Sequence, residues 1–185
     1  MKRKLGDIIL QIIPVMIGVY LGFVISNWQD NQKRSTQSQI LIDNISLEIE
    51  SNTRIIEAVI EYHKMLRDSS RYYANAEIIN KMPTFFQGTR TQQLLSSAYN
   101  TGIQTGIINE LPLHKIQLLN KVYNYQDFCN EYAKMLMNGL INKDFSDSPD
   151  GIKKIASYLS LTMTDIVIQE EHLLEIYKET VNVLK

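Results

Sequence analysis

Between Ile8 and Ile25 the chain runs IILQIIPVMIGVYLGFVI, eighteen residues without a charge. A run of that length suits the hydrocarbon of a bilayer better than one face of a globular core. Counted from Leu5 to Trp28, it makes about 36 Å of helix, enough to cross about 30 Å of hydrocarbon with some tilt. Trp28 stands where an interfacial aromatic anchor belongs. A cleaved signal peptide is the competing reading, but the run is long and no small-x-small cleavage site follows it. The expectation is an uncleaved transmembrane helix. Lys2, Arg3 and Lys4 precede it and Asp30, Lys33 and Arg34 follow it, a balance that favours a cytoplasmic N-terminus.

One face of this helix differs from the rest. Pro14, Gly18, Gly22 and Ser26 recur every four residues, with Gln11 one turn earlier on the same side. Small residues at that spacing let helices approach closely, and a glutamine in hydrocarbon gains by bonding across a helix interface. The face therefore reads as a homo-oligomer interface. Against it stands the frequency with which glycine and proline occur in membrane helices that face only lipid.

Beyond the polar stretch 29–39, apolar residues return at Ile42, Ile45, Ile49, Ile56, Val59 and Leu66, with Asn52 and His63 filling the missing steps. The alternating steps of three and four describe a long helix with a heptad seam that continues through Ser70 and Tyr73. A polar residue in such a seam more often sets register than binds a ligand. No proline interrupts Val15 to Met82, so the membrane helix is expected to run into this one with little break.

KMPTFFQG, residues 81–88, reads as a loop. A short helix over Thr91–Tyr99 is expected to carry Leu94, Leu95 and Ala98, before an apolar link bracketed by Gly102 and Gly106. The spacing of those glycines matches neither a P-loop nor a dinucleotide fingerprint, and no cofactor is implied. Asn109 and Pro112 look like a helix start, with Ile116, Leu119, Tyr123, Ala133 and Leu136 marking a third long helix that ends at Met137 or Gly139. After a polar connector, Ser148 is a natural N-cap with Pro149 as the first helical residue. From there Ile152, Ile155, Leu159, Met163, Ile166, Leu173, Tyr177, Val181 and Leu184 keep a helical period. With four prolines and eight glycines in 185 residues, there is little turn chemistry for an all-β fold. The reading is an all-α chain: one N-terminal transmembrane helix, then a bundle of about three long helices and one short helix. Residues 1–30 form the anchor with its basic flank, and residues 31–185 the soluble bundle.

The segments VMIGVYLGFVISNWQDNQKR, ILIDNISLEIESN and SSAYNTGIQTGIINELPLHKIQLLNKVY together resemble a family of single-pass Bacteroidota membrane proteins. That family shares a basic start, an apolar span rich in I-G, an S-N-W or N-N-W exit and a long charged helix. The likeness covers most of residues 8–125, while Gln11 and Pro14 depart from the usual aliphatic entry. It implies an anchor and a packed bundle and brings no activity with it.

Catalytic chemistry is thinly represented. His63, His114 and His172 lie far apart in sequence, and nothing there pairs them. Glu170-Glu171-His172 fits neither H-E-x-x-H nor E-x-x-H, and reads as a solvated acidic helix face. Cys129, the only cysteine, reads as core. The expectation is a non-enzymatic protein with no metal site.

Two functions remain in view. In the first, membrane helices bearing Gln11, Gly18, Gly22 and Ser26 surround an axis while the bundle controls their separation, giving a gated pore or membrane-perturbing effector. That layout is similar to membrane effectors of bacterial anti-phage systems. Arg54, Lys64, Arg67 and Arg71, interleaved with Tyr62, Tyr72 and Tyr73, would then be the surface for an anionic ligand such as a nucleotide or oligonucleotide, against the alternative of a solvated helix face. In the second, the protein is an envelope scaffold or adapter whose bundle binds a protein partner.

Overall fold

The computed structural model describes residues 2–79, 83–143, 145 and 148–184, with side chains described from Ile13 onward. The Gln11 side chain, part of the loop at Lys81 and Met82, and part of the 142–151 connector lie outside the described residues. The described residues form five α-helices and one 3-10 turn, with no strand. These are α1 (Lys2–Glu57), α2 (Ile60–Asn75), α3 (Ser97–Thr105), the 3-10 turn Ile107–Glu110, α4 (Leu113–Ile141) and α5 (Pro149–Leu184).

The expected seam is buried as its spacing requires. Ile42, Ile45, Ile49, Asn52, Ile56, Val59, His63, Leu66 and Ser70 all face inward. The helix that carries them is interrupted, however. Val59 N–H bonds back to Ile56 at 3.0 Å, a 3-10 contact, with Val59 at φ −119° and ψ −21°. α1 therefore stops at Glu57 and α2 resumes at Ile60, so the expected continuity from membrane segment to bundle holds only as far as Glu57.

Two apolar cores lie on either side of this break. The larger joins α1, α3, the 3-10 turn, the first half of α4 and the last part of α5 around Ile45, Ile49, Leu119, Tyr123, Leu173 and Tyr177. The smaller joins α2 to the far halves of α4 and α5 around Leu66, Leu136, Leu159 and Met163, with Phe85 and Phe86 laid against it.

The short helix falls later than its sequence suggests. Residues 91–96 are irregular and α3 begins at Ser97, because side chains of other helices occupy the backbone groups that a helix would pair. Gly102 lies inside α3 against Leu41, and Gly106 ends the helix in the left-handed region at φ 73°. Residues 107–110 form the 3-10 turn, so α4 starts at Leu113 and not near Asn109. Nor does Gly139 end α4, which continues to Ile141. A β-carbon on Gly139 would lie 1.9 Å from the Tyr158 hydroxyl oxygen of α5, and the glycine is what allows that approach. α5 begins as expected, with Gly151 N–H bonded to Ser148 Oγ at 3.0 Å.

From Ile13 onward the apolar segment has no cover among the described residues. Every side chain from Ile13 to Trp28 is exposed, and the first buried residue along α1 is Leu41. Among the described residues no helix is long and apolar enough to cross a membrane, and residues 8–12 of the uncharged run fall outside that description.

Candidate functional site

The buried polar groups of the bundle gather around the connector between α2 and α3. Asn52 on α1 donates to Leu95 O at 2.8 Å and to Gln126 Oε1 at 3.0 Å, while Leu95 N–H donates to Asn52 Oδ1 at 2.8 Å. Gln126 on α4 donates to the same Leu95 carbonyl at 2.8 Å, and the Tyr177 hydroxyl on α5 donates to Gln126 Oε1. One residue earlier, Leu94 N–H donates to Asn130 Oδ1 at 3.0 Å. The amides thus treat residues 94–95 as a strand would its neighbour, which satisfies the backbone groups that this irregular segment turns toward the core, each of which would cost on the order of 1–3 kcal/mol if left unpaired.

Glu48, almost fully buried, closes the next step. Its carboxylate accepts from Ser97 Oγ at 2.8 Å, Ala98 N–H at 2.7 Å and Tyr123 Oη at 2.7 Å. A carboxylate from α1 therefore caps the N-terminus of α3, where the helix dipole favours negative charge. Burial, helped by the bond to Glu48, pushes the Tyr123 phenol far above its ordinary range, and burial does the same for Tyr177.

His63 forms the second polar cluster. Its Nδ1 lies 2.9 and 3.0 Å from the two oxygens of Glu170, and its Nε2 lies 2.8 Å from the Thr89 carbonyl. Both partners are acceptors, so the ring donates through both nitrogens or Glu170 holds the shared proton. The reading of Glu170-Glu171-His172 as a solvated face is corrected for Glu170, while Glu171 and His172 remain exposed. α2 and α5 run side by side and bring His63 and Glu170 together, and Glu170 is largely covered. Beside the pair, at the α1–α2 break, is a cavity of about 40 Å³ lined by Ile55, Ile56, Val59, Cys129, Ile166 and Glu170 among others. That is room for a few waters. Burial pushes the Cys129 thiol up to about 12, which makes it a poor nucleophile.

The cationic and aromatic residues singled out in the sequence are engaged locally. Lys64 bridges Glu61 at 3.0 Å and Glu171 at 3.2 Å, Arg67 pairs with Asp68 at 2.8 Å, and Arg71 donates to Thr164 at 3.2 Å. Arg54, on α1, bonds back to the Glu50 carbonyl at 3.3 Å. Hydrogen bonds to Glu61 and Glu171 raise the Lys64 ammonium, and the bond to Arg67 lowers the Asp68 carboxyl, so the face mixes both signs. Tyr62 is spent on the 83–96 connector, donating to Gly88 O at 2.6 Å and accepting from Gln87 N–H at 3.0 Å, with Arg90 4.1 Å above its ring. Tyr73 stacks on Phe85, while Tyr72 stays exposed. On the apolar segment, Pro14, Gly18, Gly22 and Ser26 are exposed, and a β-carbon at either glycine would meet nothing within 4 Å.

Sequence reasoning missed Glu48, Gln126, Asn130, Glu170 and Tyr177 as a polar interior. Glu48 and Gln126 did carry a signal, because each occupies a helical step of an apolar stripe, among Ile45, Ile49 and Asn52 in one case and Leu119, Val122 and Tyr123 in the other. Comparison with known proteins leaves the arrangement without a counterpart: no family model matches the chain, and no curated protein or solved structure matches it.

Proposed function

We propose that the protein is a non-enzymatic, single-pass membrane protein whose membrane helices self-associate through Pro14, Gly18, Gly22 and Ser26, together with Gln11, and whose helical bundle controls that association as a transmembrane effector. The observation that carries the reading is the exposure of every side chain from Ile13 to Ile25 on a helix continuous with the bundle core. Those residues complete an uncharged run that begins at Ile8, and apolar surface on that scale requires a lipid or protein environment. α1 then enters the larger core without interruption, so a tilt or rotation of the bundle reaches the membrane segment directly. The absence of catalysis is supported by His63 being tied at both nitrogens and by the elevated Cys129 thiol.

The test is the stoichiometry of the detergent-solubilised protein by native mass, repeated for Gly18→Leu and Gly22→Leu, followed by ion flux through reconstituted vesicles. A defined oligomer that collapses in both variants and conducts is the expected result. A monomer, or an oligomer indifferent to both changes, sinks the self-association reading. A second reading, an envelope adapter that binds a protein partner, is favoured by Ile78, Ile141 and Phe145, large apolar side chains left exposed outside the apolar segment. Stable capture of one partner by a monomeric protein would select it.

A further inference from the structure

Several chain segments converge beside α1 just after the apolar run, and their arrangement deepens the membrane reading on which this inference rests. Arg34 pairs with Glu110 at 2.6 Å and so fixes the 3-10 turn against α1. Lys115 donates to the Leu184 carbonyl at 3.2 Å and lines a groove with Asn31, Arg34 and Ser38, which places the start of α4 and the end of α5 at the same level. A second groove, lined by Asp30, Lys33, Thr105, Gly106 and Ile107 among others, brings the end of α3 as low as Asp30.

Height follows from helical rise. Asp30 is five residues beyond Ile25, or about 7.5 Å along α1, and Arg34 about 13.5 Å. The headgroup layer on each side of the hydrocarbon is about 5–7.5 Å deep, so a span ending at Ile25 sets this end of the bundle at the outer edge of the headgroups, and a tilt of about 20° brings one side into them. Between these polar groups the ends of α3, α4 and α5 carry exposed apolar side chains: Leu113 is 69% exposed, Ile103 49% and Val183 47%. Exposed Lys33 lines the second groove together with Arg34, which is held by Glu110.

We propose that this end of the bundle is a lipid-docking surface, on which Leu113, Ile103 and Val183 enter the phospholipid interface and Lys33 meets lipid phosphates. The surface would hold the bundle at a fixed tilt over the bilayer, so that the membrane segment and bundle move as one body. Its occupant is the headgroup layer because α1 itself brings the surface to that depth.

The experiment uses the full chain in vesicles of phosphatidylcholine and phosphatidylglycerol containing a lipid with a nitroxide on its headgroup. Trp28, the only tryptophan, reports the span. A fluorophore at Leu113→Cys in a Cys129→Ser background reports the docking surface, and the same fluorophore at Ile78→Cys, 73% exposed and beyond the end of α2, is the control. Quenching of Trp28 and of the Leu113 site with the Ile78 site unaffected is the expected result. Quenching of Trp28 alone leaves the span in place and overturns the docking surface. No quenching of Trp28 overturns the membrane reading and the docking surface together. Energy transfer between labelled copies at the Leu113 site, without lipid quenching, assigns the surface to a second copy and overturns the proposal.

Discussion

At the level of single residues, polar atoms in the seam are distinguished by whether another helix answers them. Asn52 is answered by Leu95 and Gln126, and His63 by Glu170 and Thr89, whereas Ser70 Oγ is buried and makes no hydrogen bond. An unanswered hydroxyl costs about 1–3 kcal/mol, so Ser70→Ala is expected to stabilise the fold by about 1 kcal/mol in denaturant unfolding. His63→Leu has the opposite effect. It leaves the Glu170 carboxylate covered without its partner and the Thr89 carbonyl unpaired, and a loss of about 3 kcal/mol is expected, in part recovered when Glu170→Leu is added. A pair of single losses that simply add in the double variant would show that the two side chains do not interact. The seam positions of Asn52 and His63 were legible from spacing alone. Their partners were not, because each partner lies at least 26 residues away and is supplied by a different segment.

Elements end where tertiary contacts end them. Residues 91–96 have an acceptable helical pattern, yet Asn52, Gln126 and Asn130 take the backbone groups of Leu94 and Leu95, and Glu48 starts the helix at Ser97. Gly139 reads as a helix end by composition but serves as a gap for Tyr158, whose hydroxyl donates to Leu136 O at 3.0 Å. Gly139→Ala is therefore expected to push the Tyr158 ring aside and cost about 1–3 kcal/mol, despite alanine's better helix propensity. In a Tyr158→Ala background the same substitution should be nearly neutral or mildly stabilising. A double-mutant cycle on unfolding free energies measures this, and equal costs in the two backgrounds would remove the steric explanation.

For the whole molecule, two buried phenols and a half-buried one tie stability to alkaline pH. Burial raises Tyr123 and Tyr177 far above the ordinary value of 10.0, and burial with a hydrogen bond to Asp165 pushes Tyr132 up to about 12. The folded chain prefers the protonated phenols. Their contribution is therefore complete below the unfolded value of about 10 and is lost as pH rises through the folded values. In a spectrophotometric titration of phenolate, Tyr123 and Tyr177 should ionise only together with loss of helical circular dichroism. Ionisation of all tyrosines in one step with the helices intact would contradict the buried network.

What the sequence determined by itself is the all-α class, the seam on α1 and α2, the start of α5 and the stripe of apolar positions along it. Each is a local periodicity or a capping pattern, readable without knowing what lies across the gap. The tertiary structure alone decided the interruption at residues 58–59, the irregular path of 91–96, the cap that Glu48 gives to α3, and the pairing of His63 with Glu170. Those features depend on side chains from distant segments competing for backbone and polar groups, and such competition is settled only when the helices pack.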